Sequence, residues 1–200
     1  MHPDRKFHWE DAAEMRAFVS DEGFGTLFAA TSNGPRVAHV PAIFLDDDRI
    51  GFHLSSGNDL TRHLAGAEAL FVVNGPHGYI SPDWYGMDDQ VPTWNYVAVE
   101  VQGRVTAMDR ATLADLIDAL STDRERRLAP KPVWTRDKMT DGLFDRMLGA
   151  ITGFEMRIDA WRGTRKLGQN KPAPAREAAA AALDAVGDHA IAARMRDTLK

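Results

Sequence analysis

The chain has 200 residues, 44% of them hydrophobic and 26% charged, which is the balance of a globular domain with a real core and excludes a disordered or fibrous chain. Its net charge of −5 at pH 7 excludes the broad basic surface with which proteins grip nucleic-acid phosphates, though not a local basic site. The sequence contains no cysteine, which removes disulfides, thiolate metal sites and cysteine nucleophiles and suits a reducing, cytoplasmic setting.

The opening residues, MHPDRKFHWEDAAEM, hold no apolar core of a secretory signal. No stretch approaches the roughly 18 apolar residues of a membrane helix, so no membrane association is expected. Asp11 caps a predicted helix over 11–22, with Ala12, Met15, Phe18 and Val19 on one face. Residues 24–31 and 36–45 read as strands joined at Ser32-Asn33-Gly34-Pro35, and 49–54 as a third. A short helix is predicted over 58–65, a fourth strand over 69–74 and a long fifth over 95–108. Between them, 75–96 reads as a long loop. Asp109 caps a helix to Leu120, the charged run 123–132 reads as an exposed connection, 137–148 as helical and 151–161 as the last strand. Beyond Pro172 and Pro174 the alanine-rich end reads as two helices, 176–186 and 188–199, broken at Gly187. This predicts one domain over 1–171 and a helical extension over 172–200. Hairpin-linked strands without β-α-β alternation favour an α+β fold, mainly β: an antiparallel barrel with peripheral helices.

No phosphate-binding P-loop motif and no G-x-S-x-G nucleophile elbow occurs. His39, His53, His63 and His77 lie in one half of the chain, but their spacing matches no zinc motif, so no metal is expected. Three segments carry possible chemistry. In GFHLSSGND (51–59) a strand runs into a turn of small hydroxyl residues, where backbone N–H groups and a helix start suit a phosphate. Simple capping by Ser56 or Asn58 explains the same residues. GPHGYISPDWYGMDDQVPTWNY (75–96) concentrates aromatic residues that suit a planar ligand or a partner subunit, or that plug a barrel end. WRGTRKLGQNK (161–171) is locally basic, able to hold a phosphate or a heteroaromatic edge, or to be a solvated turn.

Four motifs, RVAHVP (36–41), GPHGYISPDWY (75–85), VPTWNY (91–96) and KLGQNK (166–171), resemble in sequence and order the PaiB family of FMN-binding negative transcriptional regulators. The resemblance spans about Phe7 to Lys171. It implies a split β-barrel related to pyridoxamine-phosphate oxidases, forming a homodimer with FMN at the subunit interface. By that likeness Arg36, Val37, Ala38 and His39 border the flavin, while His53, Leu54, Ser55, Ser56 and Asn58 form the phosphate turn. Trp94, Asn95 and Tyr96 open the strand facing the isoalloxazine, and Trp161, Lys166, Gln169 and Asn170 form a segment arriving from the partner. Two departures stand out: Asn58-Asp59 where the wider superfamily often has a cation, and Gly168 where PaiB proteins usually have serine. The resemblance implies a flavin-dependent transcriptional regulator or sensor. The alternative is an FMN-dependent oxidoreductase, of flavin-reductase or pyridoxamine-phosphate-oxidase type. Contact with DNA is implied by the family likeness alone, since Arg176, Arg194, Arg196 and Lys200 are dispersed among acids.

Overall fold

The computed structural model describes residues 2–199. Its strands are β1 (His8–Trp9), β2 (Phe24–Thr31), β3 (Gly34–Phe44), β4 (Arg49–Ser55), β5 (Glu68–Ile80), β6 (Thr93–Ala107) and β7 (Ile151–Lys166). The helices are α1 (Ala12–Glu22), α2 (Thr61–Leu64), α3 (Arg110–Arg126), α4 (Leu143–Leu148), α5 (Ala173–Ala185) and α6 (His189–Asp197). Strand order is β1-β7-β4-β3-β2-β5-β6, with β7 also pairing with β6, so apart from β1 the order closes on itself. The fold is a mainly antiparallel β structure with peripheral helices. No helix among the described residues is long and apolar enough to cross a membrane.

The chain separates into two compact units, one of Arg16–Val72 and Val101–Trp161, the other of Met1–Met15, Val73–Glu100 and Arg162–Lys200. In the first, the β2–β3 hairpin pairs Leu27 with Ala38 and Phe28 with Val37 around a two-residue turn. Period-two alternation sends Leu27, Ala29, Ala38 and Val40 into the core with Ile50, Phe52, Phe71 and Phe154. Phe52 and Phe154 stand opposite each other across β4 and β7, their rings stacked at 6.0 Å. The periodic leucines of α3, Leu113, Leu116 and Leu120, cluster with Leu148 of α4.

In the second unit, β1 pairs with β7 through His8 with Thr164 and Trp9 with Gly163. Helices α5 and α6 bury Ala175, Ala179, Ala180, Leu183, Ile191, Ala192 and Met195. Gly78 of β5 allows their close approach to the strand: an added β-carbon there would lie 2.9 Å from Ile191.

Several boundaries differ from the sequence reading. The predicted 75–96 loop is largely ordered, since β5 continues to Ile80, a 3-10 turn covers Pro82–Tyr85 and β6 begins at Thr93. Glycine and proline at 75 and 76 hide the strand, and the inward positions change phase there, from Val73 to Gly78 and Ile80. Helix α3 runs to Arg126 through part of the expected connection because tertiary contacts hold its charged end. Arg124 donates to the carbonyls of Ser20 (2.7 Å) and Asp21 (2.9 Å), and Arg127 donates to Asp21 (2.9 Å). The region read as helical over 137–148 forms only a 3-10 turn at Arg136–Lys138 and α4, while β7 extends to Lys166 and β1 is additional.

Gly103 of β6 marks the tightest backbone approach in the first unit: an added β-carbon would sit 1.9 Å from the carbonyl oxygen of Arg157 in β7. Backbone cannot rotate away as a flexible side chain can. Gly103→Ala is expected to destabilise the protein by about 1–3 kcal/mol, read as a lower urea midpoint at unchanged slope.

Candidate functional site

The candidate residues fall into two sets, one in each compact unit. In the first unit the outer side of the β2–β3 hairpin is unusually apolar: Phe24 is 56% exposed, Phe28 38% and Val37 47%. Cross-strand pairing places Val37 beside Phe28 and His39 beside Thr26, whose hydroxyl lies 3.1 Å from His39 Nδ1. Of the motif residues, Val37 and His39 therefore share this outer face, and Ala38 packs into the core. Arg36 is exposed and donates to its neighbour's carbonyl, that of Pro35, at 3.0 Å.

The turn after β4 is built differently from an open amide cradle. The Ser56 N–H donates to Ala150 (2.9 Å), the Asn58 N–H to Ser55 O (2.9 Å) and the Gly57 N–H to Ser55 Oγ (3.3 Å). Asn58 Oδ1 accepts from the Leu60 N–H at 2.9 Å, so its side chain forms the turn itself. Ser56 Oγ lies 3.0 Å from Thr152 Oγ1. With these amides engaged, an anion here meets side chains instead: the exposed Ser55 and Ser56 and, one turn on, Arg62, which is held by Asp59 at 2.9 Å. Arg62 is the cation that follows this turn in the chain, and it is engaged by Asp59. The sequence reading passed over it because it lies beyond the turn motif; its spacing of three from Asp59 was the available signal. Leu54 is buried in the core.

His53 belongs to a different feature of the same unit. It lines a cavity of about 510 Å3, together with Pro41 of β3 and residues of α3, α4 and the segment between them. Its Nδ1 is buried and has no hydrogen-bond partner among the described residues. Burial pushes the imidazole below its ordinary pKa, favouring the neutral ring. Trp161 stands apart from this cavity, stacked on Phe44 at 6.1 Å.

In the second unit, Trp94 is 53% exposed and stacks on His77 at 5.9 Å, with Tyr79 edge-on at 6.2 Å. Trp94 and Tyr96 border a cleft with Asn74 and His77. Asn95, between them in the strand, faces the other way. It is 1% exposed, its amide nitrogen 3.3 Å from Met195 Sδ and its Oδ1 without a partner among the described residues. Lys166 donates to Thr93 Oγ1, which ties the KLGQNK segment to the VPTWNY motif, and burial lowers its pKa from the ordinary lysine value. Gln169 closes its own turn, accepting from the Leu167 N–H (2.8 Å) and donating to Arg165 O (2.6 Å). Asn170 is exposed. Gly168 has φ +82°, a conformation a serine would adopt only with strain.

A family model described as "Putative FMN-binding domain" matches residues 1–160. The chain belongs to this family. It is also 30% identical over 175 residues to the Bacillus subtilis (strain 168) protease synthase and sporulation protein PAI 2, covering 86% of this chain and 83% of that protein. FMN is thus the cofactor. Among solved structures, the chain resembles the FAD and heme binding protein from Mycobacterium smegmatis, with TM-score 0.60 and 18% identity over 80% of this chain and 74% of that one. It also resembles the flavocytochrome Anf3 from Azotobacter vinelandii, with TM-score 0.59 and 18% identity over 84% and 73% of the two chains. At that identity the likeness is one of fold.

The residues present fit a flavin: an apolar sheet face bearing His39 suits a planar ring, and the Ser55 and Ser56 hydroxyls suit its phosphate.

Burial of neutral His53 has a pH signature. Its folded pKa lies below the unfolded value, so the unfolded state binds the extra proton as pH falls through the ordinary imidazole range, about 6.5, and stability is lost there. Between about pH 7 and pH 5, the urea midpoint of the wild type should fall more steeply than that of His53→Gln. Parallel slopes would mean that the histidine is not held neutral.

Proposed function

We propose that this chain works as an FMN-binding homodimer of the PaiB type, a flavin-dependent regulator or sensor of the cytoplasm. The observation that carries the dimer is the two-sided β2–β3 hairpin, whose outer face displays Phe24, Phe28 and Val37. A contiguous apolar face of this kind on a monomer is a mark of an interaction surface, and it bears the motif residues Val37 and His39 that the flavin would border. A shared interface of this sort accounts for both the apolar strand face and a cofactor beside it. The Bacillus relative is named for protease synthesis and sporulation, and that name supports the regulatory reading. Bound FMN supplies electron-transfer chemistry, and an FMN-dependent oxidoreductase is therefore the competing reading.

Direct DNA binding by α5 and α6 has little support. Arg196 is paired with Glu177 and Asp184, and Arg176 donates to Thr198. Of the arginines in these helices, Arg194 is the exposed one. Regulation would then run through a partner or a small molecule.

Three measurements test this reading. Light scattering of the wild type at micromolar concentration should give a dimer, and Phe28→Glu with Val37→Glu should give a folded monomer with weakened FMN binding. A wild-type monomer overturns the assembly. Titration with FMN should quench flavin fluorescence and raise the melting temperature by linkage, and Lys166→Met should weaken the binding about tenfold or more, the worth of a hydrogen bond from a charged group. Unchanged affinity would leave Lys166 as a tie to Thr93 alone. Addition of reduced nicotinamide dinucleotide to the FMN-loaded protein should leave the flavin spectrum oxidised for a sensor; rapid bleaching by hydride transfer would favour the oxidoreductase.

A further inference from the structure

The cavity beside His53 has a chemistry that flavin binding leaves unused. At about 510 Å3 it has the size of a small-molecule site, roughly 300–1,000 Å3. Its walls come from Leu120 of α3, Trp134 and Met139 of the following segment, and Phe144, Met147 and Leu148 of α4. No Asp, Glu, Lys or Arg is among the residues that line it. A charged ligand would therefore lose its hydration with no countercharge in return. Trp134 and Phe144 provide aromatic faces for a planar ring, and the methionines provide a wall that adapts to shape. Against this apolar lining, His53 stands out as a buried polar group whose Nδ1 has no partner among the described residues. Buried polar atoms are nearly always hydrogen-bonded, so this unpartnered nitrogen is a point in the cavity where a ligand gains a directed bond. A neutral imidazole offers Nδ1 as donor or acceptor according to its tautomer.

We propose that this cavity binds an uncharged, planar aromatic molecule whose single hydrogen-bonding group meets Nδ1 of His53. Phosphorylated and carboxylated aromatics are selected against by the lining. The inference goes beyond the flavin reading because it concerns a second ligand, in a cavity that shares Pro41 with the RVAHVP strand but whose other walls come mostly from α3, α4 and the segment between them. It gives a sensor something to sense.

The test uses the full chain, first saturated with FMN and then without added FMN, with naphthol, naphthalene and naphthyl phosphate as probes in calorimetry. Naphthol should bind at one site per chain in both preparations. Naphthalene should bind about tenfold more weakly for want of one hydrogen bond, and naphthyl phosphate should not bind measurably. His53→Leu should reduce naphthol to the affinity of naphthalene and leave naphthalene unchanged. Met147→Trp, at an exposed position on the cavity wall, should weaken both. If His53→Leu fails to fold, Met147→Trp and the three-probe comparison on the wild type carry the same test. Equal affinities for naphthol and naphthyl phosphate overturn the proposal, as does naphthol binding that Met147→Trp leaves unaltered. Competition between FMN and naphthol also overturns it, since the cavity would then be the flavin's own seat or be closed by it. Flavin fluorescence, followed separately, shows whether FMN binds at all, so failure of the flavin reading is distinguished from failure of this one.

Discussion

The register of the β2–β3 hairpin is the constraint on which the rest of the structure rests. Leu27 opposite Ala38 and Phe28 opposite Val37 are neighbouring rungs of one ladder, yet one pair faces the core and the other faces out. Side chains alternate with a period of two, so a slip by one residue would turn Leu27 and Val40 to solvent and Phe24 and Phe28 inward. The same register sets which motif residues can meet a ligand. Val37 and His39 are available, and Ala38 between them is spent on packing. Neighbouring strands inherit the choice: Phe71 in β5 stands beside Leu27, and Ala42 in β3 beside Phe52 of β4.

Charges in this protein are largely committed to one another or to backbone carbonyls. Arg49 bonds both Asp46 and Glu155, Arg165 lies 3.5 Å above the Trp9 ring while bonding Glu14, and Arg16 lies 3.9 Å above Phe44. Exposed pairs such as these add little stability each. They do neutralise cations locally, in a chain whose 24 lysines and arginines are already outnumbered by 29 aspartates and glutamates. The apolar sheet face and the uncharged cavity are then the features left to recognise other molecules.

The strands with clean alternation were legible in the sequence, as were α1, α3 and the two terminal helices, because period and capping residues are local signals. Asp109 does cap α3, accepting from the Thr112 N–H at 2.8 Å. What escaped was set by contacts distant in sequence. The continuation of β5 through Gly75 and Pro76 depends on pairing within the sheet, and the last turns of α3 depend on carbonyls of α1. In the candidate site, the motif stretches were visible, but not which residue of each would turn outward. Asn95 looks equivalent to Trp94 and Tyr96 until the strand parity is known, and Gln169 looks free until its amide is seen closing a turn. The cavity was hidden: apart from Pro41, its walls lie in 117–151, a stretch with no motif, and only the fold brings them to His53.

The two arginines at the end of α3 have a consequence for how the protein opens. A helix ends with carbonyls that lack intrahelical donors, and in α1 those of Ser20 and Asp21 are capped by the guanidinium groups of Arg124 and Arg127. The last turn of α1 therefore cannot fray without detaching α3, about a hundred residues later in the chain, as the separations of 104 and 106 residues record. Cooperative units of this kind open together. In amide hydrogen exchange, the ends of these two helices should form one foldon, protected and released as a pair, with a chain terminus at neither end of it.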